Sequence, residues 1–414
     1  MYFDQLIASH HSERPEGITS ICSAHPWVLK TAAQRNEKPL LIEATCNQVN
    51  QFGGYTGMTP ADFKKYIKDI AAQNQYPPDN LILGGDHLGP SVWQHEPAKI
   101  AMEKSEVLIH DYVRAGFRKI HLDCSMRLDD DRKGPLDVEV SAQRAARLAK
   151  IAVTAAEQEI RFVIGTEVPI PGGAKEHEDG VEVTAIENVE QTIDSTRKAF
   201  VKSGLEMVWD KVVAVVVQPG VEFGDDFVLP FDPPAARELS KYIESKNLVY
   251  EAHSTDYQTQ TALKSLVDNH FAILKVGPAL TFAFREAVFA LAMIENELIR
   301  EEERSGLIDI VDKVMTDKPR YWTDYYKGDK DQKRIKRKYS YSDRIRYYWT
   351  SASVQNALKT MRMNLGEIVI PDTLRRQFAP DYYAKDEQSP TIVSADGIIQ
   401  FKINKELNKY SFAT

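Results

Sequence analysis

The chain has 414 residues, of which 43% are hydrophobic and 27% charged, values typical of a globular protein with one large domain or two. Its formal net charge of -8 argues against nucleic acid as the main partner, since a surface that neutralises phosphates needs a basic excess. The chain contains no apolar run near the roughly 20 residues of a membrane span, no signal-peptide layout and only 3 cysteines, so we expect a cytoplasmic protein.

Eight short apolar runs dominate the first two thirds of the chain, and a stretch of helical character follows each one. The third run breaks off at Gly84 and Gly85 and is followed by Asp86 and His87, as in a buried strand that ends in a reactive loop. The runs lie at residues 18–22, 39–44, 81–90, 119–123, 161–167, 212–218, 248–253 and 271–277.

The alternation of strands and helices predicts an α/β protein with a parallel sheet. Eight such units predict a closed (β/α)8 TIM barrel over residues 1–304, with the polar residues 1–16 leading into it. An open, doubly wound sheet is the alternative fold. No strand is followed by Gly-x-Gly-x-x-Gly, and the chain lacks a P-loop motif, which argues against a dinucleotide site and a P-loop kinase.

The pattern changes after the barrel, and residues 305–414 are expected to form an extension packed on it. Residues 318–346 are dense in Lys, Arg, Tyr and Trp, and a helix over about 351–365 and a β-prone tail follow. We interpret the basic stretch as a solvated helix face or an interface. The alternative is that Arg344 or Arg346 reaches over the barrel mouth to an anionic group of a substrate, because the arginine fork suits phosphate.

Acidic, basic and imidazole side chains collect at the ends of the predicted strands. In barrels of this kind the reactive groups come from the C-terminal strand ends, which meet at one face. Strand ends that faced only solvent would show no bias towards acids and imidazoles, so we expect a functional site there. The residues are Glu43, Asp86, His87, Asp123, Glu167, Gln218, His253, Asp256 and Lys275.

The residue types at these strand ends indicate a divalent metal ion. Two imidazoles and a carboxylate suit zinc or a similar ion and leave positions open for substrate oxygens. We predict His87, Glu167 and His253, from the third, fifth and seventh strands, as the ligands. His121 precedes its strand end and is expected to point elsewhere, and His110, in a predicted helix, is expected to be structural.

The chemistry predicted for these groups is proton transfer beside the metal. A metal flanked by carboxylates can bind a hydroxy-ketone and stabilise the negative charge that develops when the next C–C or C–H bond breaks. Asp86 is the predicted general base, since a nearby dication keeps a carboxylate charged. Asp123, Glu43 or Glu167 is the predicted second acid–base group. Substrate contacts are assigned to Gln218, Ser254, Asp256, Lys275, Arg344 and Arg346.

Seven longer motifs follow one another along the chain. They are IEATCNQVNQ at 42–51, GGDHLGP at 84–90, HLDCS at 121–125, GTEVP at 165–169, HSTDYQ at 253–258, LKVGP at 274–278 and DRIRYYW at 343–349. With these motifs the whole chain resembles the tagatose-bisphosphate aldolase accessory subunits, the Z-type proteins of galactitol and N-acetylgalactosamine catabolism. Members of that family have also been described as tagatose-6-phosphate kinases, and some as D-tagatose 6-phosphate 4-epimerases.

More distantly, the predicted barrel resembles the zinc-dependent class II ketose-bisphosphate aldolases. In those enzymes an Asp-His pair after a strand supplies the base and a metal ligand, which matches Asp86 and His87, and a late metal histidine matches His253. The chain departs from them at Gln218, where the aldolases carry another metal histidine. It also has Ser254 and its neighbours in place of their Gly-rich loop, so the backbone nest for a C1 phosphate is missing.

The resemblance and the strand-end residues together predict an isomerase. We expect a metal-dependent ketose 4-epimerase that interconverts D-tagatose 6-phosphate and D-fructose 6-phosphate, or the free ketoses, by retro-aldol cleavage and rejoining or by proton transfer at C4. The alternative is a non-catalytic subunit that stabilises a separate class II D-tagatose-1,6-bisphosphate aldolase. We expect Zn²⁺ or another divalent ion as cofactor, a homo-oligomer, and neither a nucleic-acid nor a membrane partner.

Overall fold

The computed structural model describes residues 2–12, 14–168, 181–366, 368–383 and 394–414. Ten strands occur in these ranges. They are β1 Ile18–Ile21, β2 Leu40–Thr45, β3 Leu81–Leu88, β4 Lys119–Asp123, β5 Arg161–Gly165, β6 Val212–Val217, β7 Glu222–Phe223, β8 Val228–Leu229, β9 Val249–Ala252 and β10 Phe271–Val276.

Eight of these strands close into a parallel barrel. Their order around it is β1-β10-β9-β6-β5-β4-β3-β2, so β1 pairs with both β2 and β10. Strands β7 and β8 form an antiparallel hairpin in the connection between β6 and β9. The predicted (β/α)8 TIM barrel is confirmed, and the closure excludes the open, doubly wound sheet.

Fourteen α-helices occur in the described ranges: α1 precedes the first strand, and the others connect strands or follow the last one. The third helix begins with a capping box, in which the Thr59 hydroxyl and the Asp62 carboxylate each accept a hydrogen bond from the other residue's backbone N–H. Within the described ranges, no helix has both the length and the apolar character that crossing a membrane requires. The helices are α1 Tyr2–His10, α2 Pro26–Arg35, α3 Pro60–Gln73, α4 Ala98–Ala115, α5 Val138–Ala155, α6 Ile186–Lys202, α7 Arg237–Glu244, α8 Gln260–Asp268, α9 Pro278–Leu298, α10 Leu307–Asp317, α11 Lys330–Tyr339, α12 Ala352–Gly366, α13 Asp372–Phe378 and α14 Ala395–Ala413.

Helix α1 packs against the apolar half of the barrel interior. Its Phe3, Leu6 and Ile7 are buried in one cluster with interior side chains of the strands, Leu41 and Val163 among them. The spacing of three and one residues gives α1 a single apolar face, which covers these strand residues. The N-terminal segment is therefore part of the core, and the expectation that it only leads into the domain is wrong.

The C-terminal segment is helical, and the expectation of a β-prone tail is wrong. Helix α14 buries Ile399, Ile403, Leu407 and Tyr410, whose spacing of four, four and three residues places them on one helical face. Isoleucine favours strands on average, but burial of one continuous face outweighs that weak preference.

Helix α14 also supports the end of the barrel where the C-terminal strand ends meet. The Tyr410 hydroxyl donates a hydrogen bond to the backbone oxygen of Thr255 at 2.9 Å, and the Thr255 hydroxyl donates to the backbone oxygen of Lys275 at 2.7 Å. The helix packs on α9, α8 and α2, and buried residues of the barrel and of the C-terminal helices share one apolar core.

Replacing Leu6 with alanine tests whether α1 is part of the core. Because Leu6 is only 1% exposed, we expect Leu6→Ala to lower the free energy of unfolding by about 2–5 kcal/mol. Gln5→Ala, on the exposed side of the same helix, should change it by no more than about 0.5 kcal/mol. Urea unfolding of both variants decides the matter, and equal midpoints would contradict the core role of α1.

Candidate active site

A bulge near the end of β3 brings two successive polar side chains together. The pairing of β3 with β4 shifts register between Gly85 and Leu88, and His87 adopts a left-handed backbone with φ 47°. Asp86 Oδ1 accepts a hydrogen bond from the His87 backbone N–H at 2.9 Å. In a regular strand these side chains would point to opposite faces. A left-handed non-glycine residue costs about 1–3 kcal/mol, so the surrounding contacts must hold it in place.

Two glycines beside the bulge leave room for neighbouring acids. A Cβ atom on Gly84 would lie 2.7 Å from the side chain of Glu43, and one on Gly89 would lie 1.8 Å from the backbone oxygen of Asp123. Any larger residue would therefore displace one of the two strands that carry these carboxylates. The glycines of this stretch thus allow β3 to approach its neighbours closely.

Ionisable side chains alternate along β4 and across the end of β9. Lys119, His121 and Asp123 alternate along β4, while Glu251 lies in β9 and His253 directly follows it. All five are buried. Because alternate residues of a strand share a face, these side chains extend the site from the strand ends into the barrel interior.

The position of His121 corrects one expectation. His121 Nδ1 lies 2.9 Å from Asp86 Oδ1, and its ring centre lies 5.2 Å from that of His87 and 5.3 Å from that of His253. The prediction that it points elsewhere is wrong, because it considered only the last residue of each strand. The same alternation, read two and four positions back from the predicted strand ends, would also have identified Glu251 and Lys119, which the strand-end rule missed.

Two buried lysines lie among the carboxylates in the barrel interior. Lys119 Nζ lies 2.7 Å from Glu43 Oε1 and 2.6 Å from Glu251 Oε2. Lys275 Nζ contacts Asp86 and lies 3.3 Å from Glu43 Oε2 and 3.5 Å from Glu251 Oε1. An unpaired buried charge costs several kcal/mol. Each ammonium group therefore depends on the carboxylates around it, and they depend on it.

This mutual pairing keeps the buried groups ionised. Burial alone would raise the pKa of Asp86, but the charges of His87 and Lys275 hold it well below its usual range. Burial would likewise raise the pKa of Glu251, and Lys119 and Lys275 hold it well below its usual range. Burial opposes the charge of Lys275, yet Asp86 and the other acids raise its pKa well above the ordinary value.

Two histidines of the site titrate in opposite directions. His87 Nδ1 lies 2.8 Å from Asp123 Oδ2, and although burial opposes it, the charges of Asp86 and Asp123 raise the pKa of His87. Burial, reinforced by Lys275, lowers the pKa of His253 to about 3. His253 is thus a neutral imidazole near pH 7, the form that binds metal ions.

Four residues of the cluster form a possible metal-binding group. One ligand atom each of Asp86, His121, Glu251 and His253 lies within 4.8 Å of all the others. His121 Nε2 is buried and has no hydrogen-bond partner among the described residues. Imidazole nitrogens and carboxylate oxygens are ligands that zinc and similar ions accept, so this donor set fits a divalent metal.

A second convergence of possible ligands does not fit a metal. Cys22, Glu43 and Asp86 also bring one ligand atom each together. The ammonium group of Lys275, however, contacts Asp86 and lies 3.3 Å from Glu43 Oε2. This set also offers no imidazole nitrogen, and burial raises the pKa of the Cys22 thiol and so disfavours the thiolate that a metal ion binds.

One pocket opens onto the charged cluster. Seven of the residues predicted from the sequence line it: Asp86, His87, His253, Ser254, Asp256, Lys275 and Arg346. The lining also includes residues that sequence reasoning did not select, among them Cys22, Asn47, Gln48, Tyr55 and Tyr347. The amide-rich loop after β2 was a visible signal for two of these, and Tyr347 lies in the motif DRIRYYW, from which only the arginines were selected.

Glu167 and Gln218 are two of the five predicted residues that do not line this pocket. The Glu167 carboxylate accepts a hydrogen bond from the Asn188 side chain at 2.6 Å and is not in the possible metal-binding group. The Gln218 side-chain oxygen accepts a hydrogen bond from the backbone N–H of Gly220 at 2.9 Å. The geometry therefore gives no support to Glu167 as a metal ligand or to Gln218 as a substrate contact. The loop at 169–180 lies outside the described residues.

The two arginines predicted to reach over the barrel mouth differ in position. Arg346 lines the pocket, and its Nη2 donates a hydrogen bond to the Tyr347 hydroxyl at 3.0 Å. Arg344 is buried, with its guanidinium carbon 3.3 Å from the ring centre of Tyr325, and does not line the pocket. Of the two, only Arg346 is placed to meet a ligand directly.

Comparison with known protein families identifies the family of this chain. The family model described as D-tagatose-1,6-bisphosphate aldolase subunit GatZ/KbaZ-like matches residues 3–414. The chain belongs to the GatZ/KbaZ-like family. The family resemblance inferred from the sequence motifs is thereby confirmed.

Solved structures similar to this GatZ/KbaZ-like chain include a probable tagatose 6 phosphate kinase from Sinorhizobium meliloti 1021. It is 43% identical, with 96% of this chain and 100% of that chain covered and a TM-score of 0.89. The fructuronate-tagaturonate epimerase UxaE from Cohnella laeviribosi is 11% identical, with 96% and 81% of the two chains covered and a TM-score of 0.50. At so low an identity, the likeness to UxaE concerns the fold alone.

The pH dependence of stability tests the environment of Asp256. Burial raises the pKa of Asp256 to about 6, although the backbone N–H groups of Gly277 and Ala279 donate to it. Since this pKa exceeds the unfolded value, the stabilisation present at low pH is lost as pH rises through about 6. Asparagine cannot ionise, so the free energy of unfolding of Asp256→Asn, relative to that of the wild type, should be higher at about pH 7.5 than at about pH 4. The expected increase is on the order of 1–3 kcal/mol.

Denaturant unfolding at both pH values measures this difference. The exposed Asp79→Asn serves as the control and should show no gain of stability over the wild type as the pH rises. An Asp256→Asn effect of the same size at both pH values would contradict the raised pKa.

Proposed function

We propose that the chain is a metal-dependent ketose 4-epimerase that interconverts D-tagatose 6-phosphate and D-fructose 6-phosphate, or the corresponding free ketoses. The observation that carries the proposal is the burial of nine ionisable side chains in and beside the barrel interior. They are Glu43, Asp86, His87, Lys119, His121, Asp123, Glu251, His253 and Lys275.

The energetics of the barrel interior support a catalytic role for these residues. TIM-barrel interiors are normally filled by branched apolar side chains. In this chain an apolar cluster with α1 fills one part of the interior, and the ionisable residues occupy another part, next to the pocket. Well-packed apolar residues are often as stabilising as a buried ionic network or more so. A purely structural interior would therefore need none of these charges.

Asp86 and Lys275 have the placement that ketose epimerisation requires. Both line the pocket, and their contact keeps Asp86 ionised and Lys275 protonated. Asp86 is the proposed base that removes the proton from a substrate hydroxyl. The Lys275 ammonium stabilises the negative charge that gathers on the ketose oxygens when the C3–C4 or C4–H bond breaks. His87 supports this arrangement, because its Nε2 lies 3.6 Å from Asp86 Oδ2 and the Asp86 charge raises the pKa of the imidazole.

We propose that a divalent metal, with Zn²⁺ as the first candidate, binds among Asp86, His121, Glu251 and His253. A metal at this position would supply Lewis-acid stabilisation of developing negative charge. The chain's own contribution is to keep His253 neutral and to present His121 Nε2, which has no hydrogen-bond partner in the described part of the chain. His87, which we also predicted as a ligand, lies outside this four-residue group, and the Asp123 carboxylate at 2.8 Å from its Nδ1 fixes the orientation of its ring.

A second candidate function follows from the family description, which names an aldolase subunit. In that case the chain would stabilise a separate class II aldolase subunit without catalysing a reaction itself. A kinase activity, suggested by the description of the Sinorhizobium meliloti protein, has less support because this chain lacks a P-loop motif.

The direct test incubates the purified chain alone with D-tagatose 6-phosphate and divalent metals, and follows D-fructose 6-phosphate by NMR. We expect turnover that a chelator abolishes and that added metal restores. His253→Ala should lose both turnover and metal binding measured by calorimetry, because it removes a ligand of the proposed site. His110→Ala, which changes an exposed histidine on α4, is the matched control and should retain both.

Absence of turnover with every divalent metal would contradict the epimerase proposal and leave the subunit role. Retention of metal binding and turnover in His253→Ala would contradict the ligand assignment alone.

Arg346 is the proposed contact for the substrate phosphate, because it lines the pocket and carries a permanent charge. Arg346→Met should raise KM for the phosphorylated ketose by about 10–100-fold, and it should leave KM for the free ketose nearly unchanged. Steady-state kinetics with both substrates measure the difference. The exposed Arg334→Met on α11 controls for loss of charge, and equal effects on the two substrates would contradict the phosphate contact.

A further inference from the structure

The hydroxyl of Tyr347 lies between two guanidinium groups at the wall of the pocket. Arg344 Nη1 donates a hydrogen bond to it at 3.2 Å, and Arg346 Nη2 donates another at 3.0 Å. Tyr347 lines the pocket together with Asp86. With both acceptor positions of the oxygen directed at cationic donors, its own proton is free to point into the pocket.

The two arginines favour the ionised form of this tyrosine. Burial alone would raise the pKa of the Tyr347 phenol, but the charges of Arg346 and Arg344 lower it below the ordinary value. The other titratable groups that face it are Tyr55, whose ring centre lies 4.7 Å away, and Tyr321, stacked at 4.7 Å. Hydrogen bonds from charged donors stabilise an oxyanion more strongly than a neutral hydroxyl.

Epimerisation at C4 creates a need for such a group. The O4 oxygen changes sides between the two epimers, so a base placed to take its proton in one epimer is displaced from it in the other. Two groups at different positions satisfy this requirement. We propose that Tyr347 is the second acid–base residue, acting on O4 of the epimer that Asp86 does not serve; this inference rests on the proposed function.

The carboxylates first considered for this role are less suitably placed. Glu43 is held by Lys119 at 2.7 Å, and Asp123 is held by His87 at 2.8 Å. Neither of the two carboxylates lines the pocket, whereas Tyr347 does. Tyr347 therefore has access to the substrate, and the hydrogen bonds from Arg344 and Arg346 stabilise the phenolate that forms when it loses its proton.

The proton balance of the retro-aldol route is complete with these two groups. Asp86 takes the O4 proton, the C3–C4 bond breaks, and its electron pair moves onto the C2 oxygen of the three-carbon fragment. After the aldehyde rotates, the C3–C4 bond re-forms on the other face, and the aldehyde oxygen takes the proton of Tyr347. The resulting phenolate is held by Arg344 and Arg346 until a proton returns from Asp86 through solvent in the pocket.

Two measurements on Tyr347→Phe test the inference. The variant should lose about 10²–10⁴-fold in kcat. In an ultraviolet pH titration without substrate, the wild type should show one tyrosine that ionises before the others, and Tyr347→Phe should lack it. Tyr348→Phe is the matched control, because this neighbour is buried, bonds to the Lys318 backbone oxygen and does not line the pocket. It should keep both properties.

The outcomes separate this inference from the proposed function. Turnover in the wild type that survives in Tyr347→Phe within about threefold would overturn the role of Tyr347 and leave the epimerase standing. A titration that is the same in the wild type and Tyr347→Phe would also overturn it. Absence of turnover in the wild type would overturn the proposed function and the role of Tyr347 with it.

Discussion

The ion pairs that Lys119 makes with Glu43 and Glu251 are the interaction on which the rest of the site depends. They join β4 to β2 and β9 across the barrel interior at 2.7 and 2.6 Å. Removing either partner would leave a buried charge unpaired, at a cost of about 3–5 kcal/mol. With Lys119 in place, both carboxylates have a buried cationic partner beneath Lys275 and Asp86. The ion pairs of Lys119, Glu43 and Glu251 therefore hold the charges beneath the pocket in place before any substrate binds.

The bulge of β3 adds two side chains to this charged cluster. It turns His87 into a left-handed conformation, so that Asp86 and His87 both reach the cluster instead of pointing to opposite faces. Asp86 is then held by Lys275 and His121, and His87 by Asp123. Strain of this kind persists only where surrounding contacts outweigh it, and it is concentrated at functional sites.

The fold could be predicted from the sequence because few folds accommodate a regular alternation of apolar strands and helices, and eight strand–helix units close into a barrel. The strand-end rule placed Asp86, His87, His253 and Lys275 correctly at the pocket, since parallel strands end on one face. The rule failed for Lys119 because a residue at the start of a strand also reaches the interior when alternation directs it there.

The strand-end rule placed no tyrosine in the site, because no strand leads to Tyr347 and only the packing of the C-terminal extension brings it to the pocket. The helical α14 escaped prediction because its isoleucines match strand preferences as well as a helical face.

The most direct measurement of the central claim is anomalous diffraction at the zinc edge from crystals that contain Zn²⁺ and D-tagatose 6-phosphate. The account predicts one strong peak among Asp86, His121, Glu251 and His253, with the sugar in the adjoining pocket and its phosphate against Arg346. A metal bound elsewhere, or a sugar outside this pocket, would contradict the assignment of the charged cluster as the catalytic centre.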